Sequence, residues 1–121
     1  MVKGVYWCKS ENAGIADYII ETDRDLYYRI LADRVLAEKH VTGMNDWSRG
    51  FGDILGKGRV VEIRSDHQGD IVIMLDNGYA IHRASTYDGA NVGSNLYLES
   101  PGDLDEWRQE YGSMEVLEVS D

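Results

Sequence analysis

The first seven residues after the initiating Met, Val2-Lys3-Gly4-Val5-Tyr6-Trp7-Cys8, mix β-branched and aromatic positions and run into the turn-like Lys9-Ser10-Glu11-Asn12-Ala13-Gly14, a pattern that predicts a strand followed by a loop. Residues 15–21 read two ways: Tyr18-Ile19-Ile20 suits a strand, and the segment also serves as the lead-in to a helix. From Thr22 the period changes. Tyr27, Ile30, Leu31 and Val35 fall at i, i+3, i+4 and i+8, with Arg24, Asp25, Arg29, Asp33 and Arg34 on the wet side or its edges. Thr22 followed three residues later by Asp25 is similar to a capping box. The spacing predicts an N-terminal amphipathic helix from Thr22 to about His40.

Residues 42–58 hold five glycines, at 43, 50, 52, 56 and 58, and read as the principal loop. Three apolar runs come next: Arg59–Arg64, Asp70–Leu75 and Tyr79–Ala84. The first two are separated by the turn Ser65–Gly69, the last two by Asp76-Asn77-Gly78, a strong hairpin signal. Ile71-Val72-Ile73-Met74-Leu75 is apolar on both alternating faces, so this middle strand should be covered on both sides. A second loop is expected at Asp88–Ser94, then a short strand at Asn95–Glu99. Ser100-Pro101 reads as a helix cap with proline at the first position, Leu104, Trp107 and Tyr111 line one helix face, and Gly112 sits where a helix ends. Met114–Val119 closes the chain as a strand. The expected fold class is α+β: an antiparallel β-meander or small barrel packed with the N-terminal amphipathic helix and a short C-terminal helix, in one domain spanning 1–121.

Charge narrows the partners. The chain has 121 residues, 22 acidic and 12 basic, for a formal net charge of -10. Gripping a nucleic-acid backbone takes surplus Lys and Arg, so the balance argues against nucleic acid as a partner. The deficit is uneven. Residues 22–41 are neutral, whereas from Ser100 onward seven acids, Asp103, Asp105, Glu106, Glu110, Glu115, Glu118 and Asp121, face Arg108 alone, a net of -6. A lone Cys8 allows no internal disulfide, which fits a reducing compartment. With no signal-peptide pattern and no run of the roughly 20 apolar residues that cross a bilayer, the expectation is a cytoplasmic protein, in its own cell or a host, without membrane attachment.

The chemistry-bearing motifs fail in turn. Gly56-Lys57-Gly58 lacks the preceding glycine and following Ser/Thr of a phosphate-binding loop, and Gly50-Phe51-Gly52 leads toward a strand rather than opening a helix. His40, His67 and His82 have no partner at metal-ligand spacing, so neither metal nor cofactor is expected. A triad of Ser85, His82 and a carboxylate can be written down, but such sets occur in any acidic chain of this length, and no catalytic residue is assigned. Trp47, Phe51, Tyr79 and Tyr87 lie in or beside the glycine loops, where rings could stack on a base or a small ligand.

Gly52-Asp53-Ile54-Leu55-Gly56-Lys57-Gly58-Arg59-Val60-Val61-Glu62-Ile63, with Ile71–Leu75 and Asp76-Asn77-Gly78 behind it, resembles the start of an SH3-like small barrel of the KOW or Tudor kind, over residues 52–84. That resemblance implies a twisted strand pair and a module that binds RNA, DNA or protein. The charge departs from nucleic-acid-binding members, because Lys57, Arg59, Arg64 and Arg83 are offset by Asp53, Glu62, Asp66, Asp70 and Asp76.

Three functions compete, the least favoured an enzyme carried on carboxylates and His82. The favoured one is a small acidic protein-binding regulator or inhibitor that engages a basic surface, such as the nucleic-acid-binding groove of its target, through Asp103, Asp105, Glu106, Glu110, Glu115 and Glu118. In composition it resembles small acidic proteins encoded by phages and mobile elements. The alternative is a ligand- or nucleic-acid-binding small barrel using Trp47, Phe51, Tyr79 and Tyr87. Strand edges and a mass of 13.7 kDa are compatible with a homo-oligomer in every case.

Overall fold

The computed structural model describes residues 1–8, 18–31, 34–41, 47–67, 69–88, 91–100 and 102–119, with the backbone alone at 8, 85–88 and 91–94. The elements are β1 (Val2–Cys8), β2 (Tyr18–Thr22), β3 (Tyr27–Ile30), β4 (Val35–Glu38), β5 (Trp47–Gly50), a 3-10 turn (Gly52–Ile54), β6 (Val60–Ser65), β7 (Ile71–Leu75), β8 (Ala80–Asp88), β9 (Asn91–Glu99), α1 (Leu104–Glu110) and β10 (Glu115–Val116). They form two five-stranded antiparallel sheets. The first has the order β4-β3-β2-β1-β5, the second β10-β6-β7-β8-β9.

The expected α+β fold with an N-terminal helix is therefore corrected to a mostly β chain with one short helix among the described residues. Where the sequence predicts a helix over 22–40, the chain makes a three-residue turn and two short strands, β3 and β4. Thr22 caps no helix. Its backbone N–H donates to Leu26 O and its hydroxyl to the same carbonyl, while the Arg24 N–H donates to Thr22 Oγ1. These bonds close a three-residue turn whose last residue, Asp25, sits at φ 54. Leu31 N–H donates to Arg34 O between β3 and β4. Ile30 and Val35, one helical stripe on paper, become cross-strand partners in the core. Tyr27, Tyr28, Ile30 and Val35 are aromatic or β-branched, and pairing them while burying Ile30 and Val35 against the second sheet outweighs a weak local helix preference.

Two expected loops are also corrected. Residues 47–50 of the glycine-rich stretch form β5, which pairs with β1 from Val5↔Gly50 to Cys8↔Trp47. Residues 88–94 belong largely to a long β8–β9 ladder that runs from Ala80↔Glu99 to Asp88↔Asn91. The β6–β7–β8 meander stands as expected. Its second hairpin uses a three-residue loop, with Leu75 N–H donating to Tyr79 O and Gly78 at φ 91 in the position that favours glycine.

One core is shared by both sheets. Val2, Val5, Tyr18, Ile20, Ile30 and Val35 come from the first, Ile63, Ile71, Ile73, Leu75, Ile81 and Leu96 from the second. The other face of β7 carries Val72 and Met74, which with Ala80 are covered by Trp107 and flanked by Leu104, Tyr111 and Met114. Every residue of β7 is buried, one face by the opposite sheet and the other by α1. None of the helices among the described residues is long and apolar enough to cross a membrane.

Candidate functional site

The helix begins three residues later than its proline suggests. Its N-cap is Asp103, whose Oδ1 accepts the Glu106 N–H at 2.8 Å; Ser100 precedes it and Pro101 lies outside the described residues. A seven-residue helix is marginal alone, so its order comes from docking. Trp107 is the anchor, 7% exposed, with its indole N–H donating to Gly78 O at 3.1 Å. The approach is close enough to require glycine on both sides. A Cβ at Gly78 would lie 2.0 Å from Gly102 O, and one at Gly102 would lie 2.8 Å from the indole.

Polar networks flank this apolar strip. On the β6 side, Arg64 Nε donates to Glu62 Oε2 at 2.9 Å, Arg108 Nε donates to Glu62 Oε1 at 3.1 Å, and Arg64 Nη1 reaches Tyr111 O at 3.3 Å. Burial raises the Glu62 pKa, but the hydrogen bonds and charges of Arg64 and Arg108 outweigh it and hold the carboxyl below its ordinary range. On the β9 side, Tyr111 donates its hydroxyl to Glu99 Oε2, and Glu99 Oε1 meets His82 Nδ1 at 3.2 Å. His82 Nε2 faces Asp70 Oδ1 at 3.5 Å, and the imidazole lies 5.1 Å from the Tyr97 ring. Burial first, then the bond to Glu99 and its charge, push the Tyr111 phenol far above its usual value. Burial and the carboxylates of Glu99 and Asp70 raise Tyr97 as well.

His82 thus lies on the face opposite Ile81, as strand alternation implies, and its 14% exposed side chain bridges two carboxylates under the helix. This cluster ties β8 and β9 to α1. The sequence singles out His82 but not its neighbours Glu99 and Tyr111, because the β8–β9 register depends on a hairpin whose residues read locally as a loop. The Ser85 side chain lies outside the described residues. No group of three or more His, Cys, Asp or Glu side chains among the described residues is placed to hold a metal.

The acidic residues singled out from sequence take different places. Asp103 is spent on the cap. Asp105, Glu106 and Glu110 point outward from α1, Glu115 of β10 meets His67 Nε2 at 2.6 Å, and Glu118 is exposed just beyond. Among the described residues no cation pairs with Glu106, Glu110 or Glu118, and the segment's one base, Arg108, is closer to Glu62 than to Asp105, at 3.1 against 3.9 Å.

Among the described side chains, the rings of Trp47, Phe51 and Tyr79 make no contact with one another. Phe51, held at φ 58, packs edge-on against Tyr18 at 5.7 Å; Tyr79 packs on the core with Lys57 Nζ 5.0 Å from its ring centre; Trp47 is half-buried in β5. The Tyr87 side chain lies outside the described residues. The bases of the barrel-like stretch are engaged as well. Arg59 pairs with Asp23 at 3.0 Å, Arg64 with Glu62, and Arg83, 2% exposed, turns inward and donates to Gly69 O at 2.7 Å. Arg83 is therefore a buried base of that stretch.

No family model, curated protein or solved structure matches this chain.

Proposed function

We propose that the protein is a small acidic binding module that regulates or inhibits a partner by covering a basic surface, in the manner of a nucleic-acid mimic. One observation carries the reading. The only base after residue 100 lies closer to Glu62 than to Asp105, so Glu106, Glu110 and Glu118 have no ion-pair partner among the described residues. Glu110 adds to it: an acid in the last helical turn lies at the negative end of the macrodipole, a placement that costs about 0.3–1 kcal/mol and is offset by no ion pair among the described residues. A field of one sign steers an oppositely charged partner and speeds its docking. The ion pairs of Arg59 with Asp23 and Arg64 with Glu62 and the burial of Arg83 weigh against nucleic acid as the bound surface.

The test is capture of a partner from lysate at graded salt, with wild type beside the variant Asp105→Lys, Glu106→Lys, Glu110→Lys. These side chains are exposed, so the variant should keep the wild-type circular dichroism. A stoichiometric partner that wild type holds at low salt, releases as salt rises, and the variant fails to hold is the expected result. Capture indifferent to salt and to the three substitutions would overturn the reading.

A further inference from the structure

Beside β6 the surface opens into a groove of about 230 Å³, walled by Tyr28, Val60, Val61, Ile63, Leu117 and Val119. Taking roughly 30 Å³ per water, it holds about eight waters, and its lining is mixed, with Glu62 beside the apolar side chains. Two of the few large apolar side chains left exposed also border it, Val61 at 46% and Val116 at 52%. The neighbouring backbone is incomplete as a sheet edge. β10 pairs only with Arg64 and Ser65, and one further bond runs from Leu117 N–H to Ile63 O. Among the described residues no strand continues this pairing along Val60–Glu62, where the register with β7 shifts at Val61.

We infer that this edge accepts an extended, basic peptide segment of the partner as an added strand, with an apolar side chain seated in the groove. The inference rests on the proposed function and deepens it by naming where the partner docks. Side chains of an extended peptide alternate in direction. Apolar ones would fill the groove, and lysines or arginines would meet Glu115 and Glu118 on the segment that borders it. Main-chain bonds supply affinity in such strand addition, and pockets supply selection. Charge decides the occupant: a second copy of a chain carrying -10 would repel the first, whereas a basic segment is attracted.

The probe is a capped peptide that alternates lysine with valine or leucine. Its controls replace every apolar residue by serine, or every lysine by glutamate. Backbone amide resonances are followed on the full chain. The lysine/valine/leucine peptide should shift the amides of Val60–Ile63 and Val116–Val119 and slow hydrogen exchange at Val61, with the glutamate control weakened by repulsion from the acidic chain and the serine control binding about tenfold or more weakly, the loss expected for unfilled apolar contacts. Val61→Gln with Val116→Gln, two exposed positions, should reproduce that loss without changing circular dichroism. Shifts confined to Asp105, Glu106 and Glu110, equal for the serine control, would overturn groove docking while leaving the acidic-surface reading intact. Equal binding of the glutamate control, unchanged binding by the double variant, or no shift at the groove would overturn it too. The salt-graded capture reports separately on the underlying reading.

Discussion

Replacing Trp107 by alanine removes the most deeply buried side chain of α1. The indole is 7% exposed, covers Val72, Met74 and Ala80, and donates to Gly78 O. A buried tryptophan cut to alanine costs about 3–5 kcal/mol, and a domain of this size is stable by only about 5–15 kcal/mol. At roughly 1–3 kcal/mol per molar in urea, the unfolding midpoint should fall by about 1–5 M. Trp107→Phe keeps a ring over the strip but drops the donor, leaving Gly78 O unpaired, and should lose a smaller part, about 1–2 kcal/mol. Urea titrations followed by far-ultraviolet circular dichroism measure both, with Trp7 and Trp47 remaining as emission reporters. An alanine variant that unfolds within about 0.3 M of wild type, well below the shift that burial implies, would refute this account of the helix. Equal losses for alanine and phenylalanine would show that the hydrogen bond, not the covered area, holds it.

Gly78→Ala should destabilise by about 2 kcal/mol or more, since the new methyl meets Gly102 O and the backbone at φ 91 suits glycine; thermal unfolding reads it directly. Glu62→Gln should lose stability at neutral pH and match wild type in acid. A carboxyl held below its ordinary range stabilises the fold above the unfolded value of about 4.3, and that contribution disappears as pH falls through the lowered value. Urea midpoints of both proteins from pH 7 down to about pH 3 check the sign. In alkali the sign reverses. Tyr111 has a raised pKa, so its contribution is full below the unfolded phenol value of about 10 and is lost as pH rises beyond it. Tyr111→Phe should therefore soften the alkaline loss of stability, and absorbance titration of the native protein should show a phenol that ionises only on unfolding.

The local code is readable where neighbours in sequence are also neighbours in space. Ile71–Leu75 announces a strand covered on both faces, Asn77-Gly78 a hairpin, and Leu104, Trp107 and Tyr111 a helix face. Each rests on a period or a turn residue within a short window. The segment 22–38 misleads because Tyr27, Ile30, Leu31 and Val35 satisfy a helical stripe as well as they satisfy two short strands joined by a turn, and only the opposing sheet decides between them. The candidate surface divides in the same way. Its net charge of -6 from Ser100 onward is a property of composition, visible without coordinates. That Arg108 is drawn to Glu62 while Glu106, Glu110 and Glu118 stay without an ion pair among the described residues, that Arg83 is buried, and that Val61 and Val116 border one groove depend on strand register and on the seating of α1. Those contacts join residues tens of positions apart, and their energy exists only once both sheets have closed on the core.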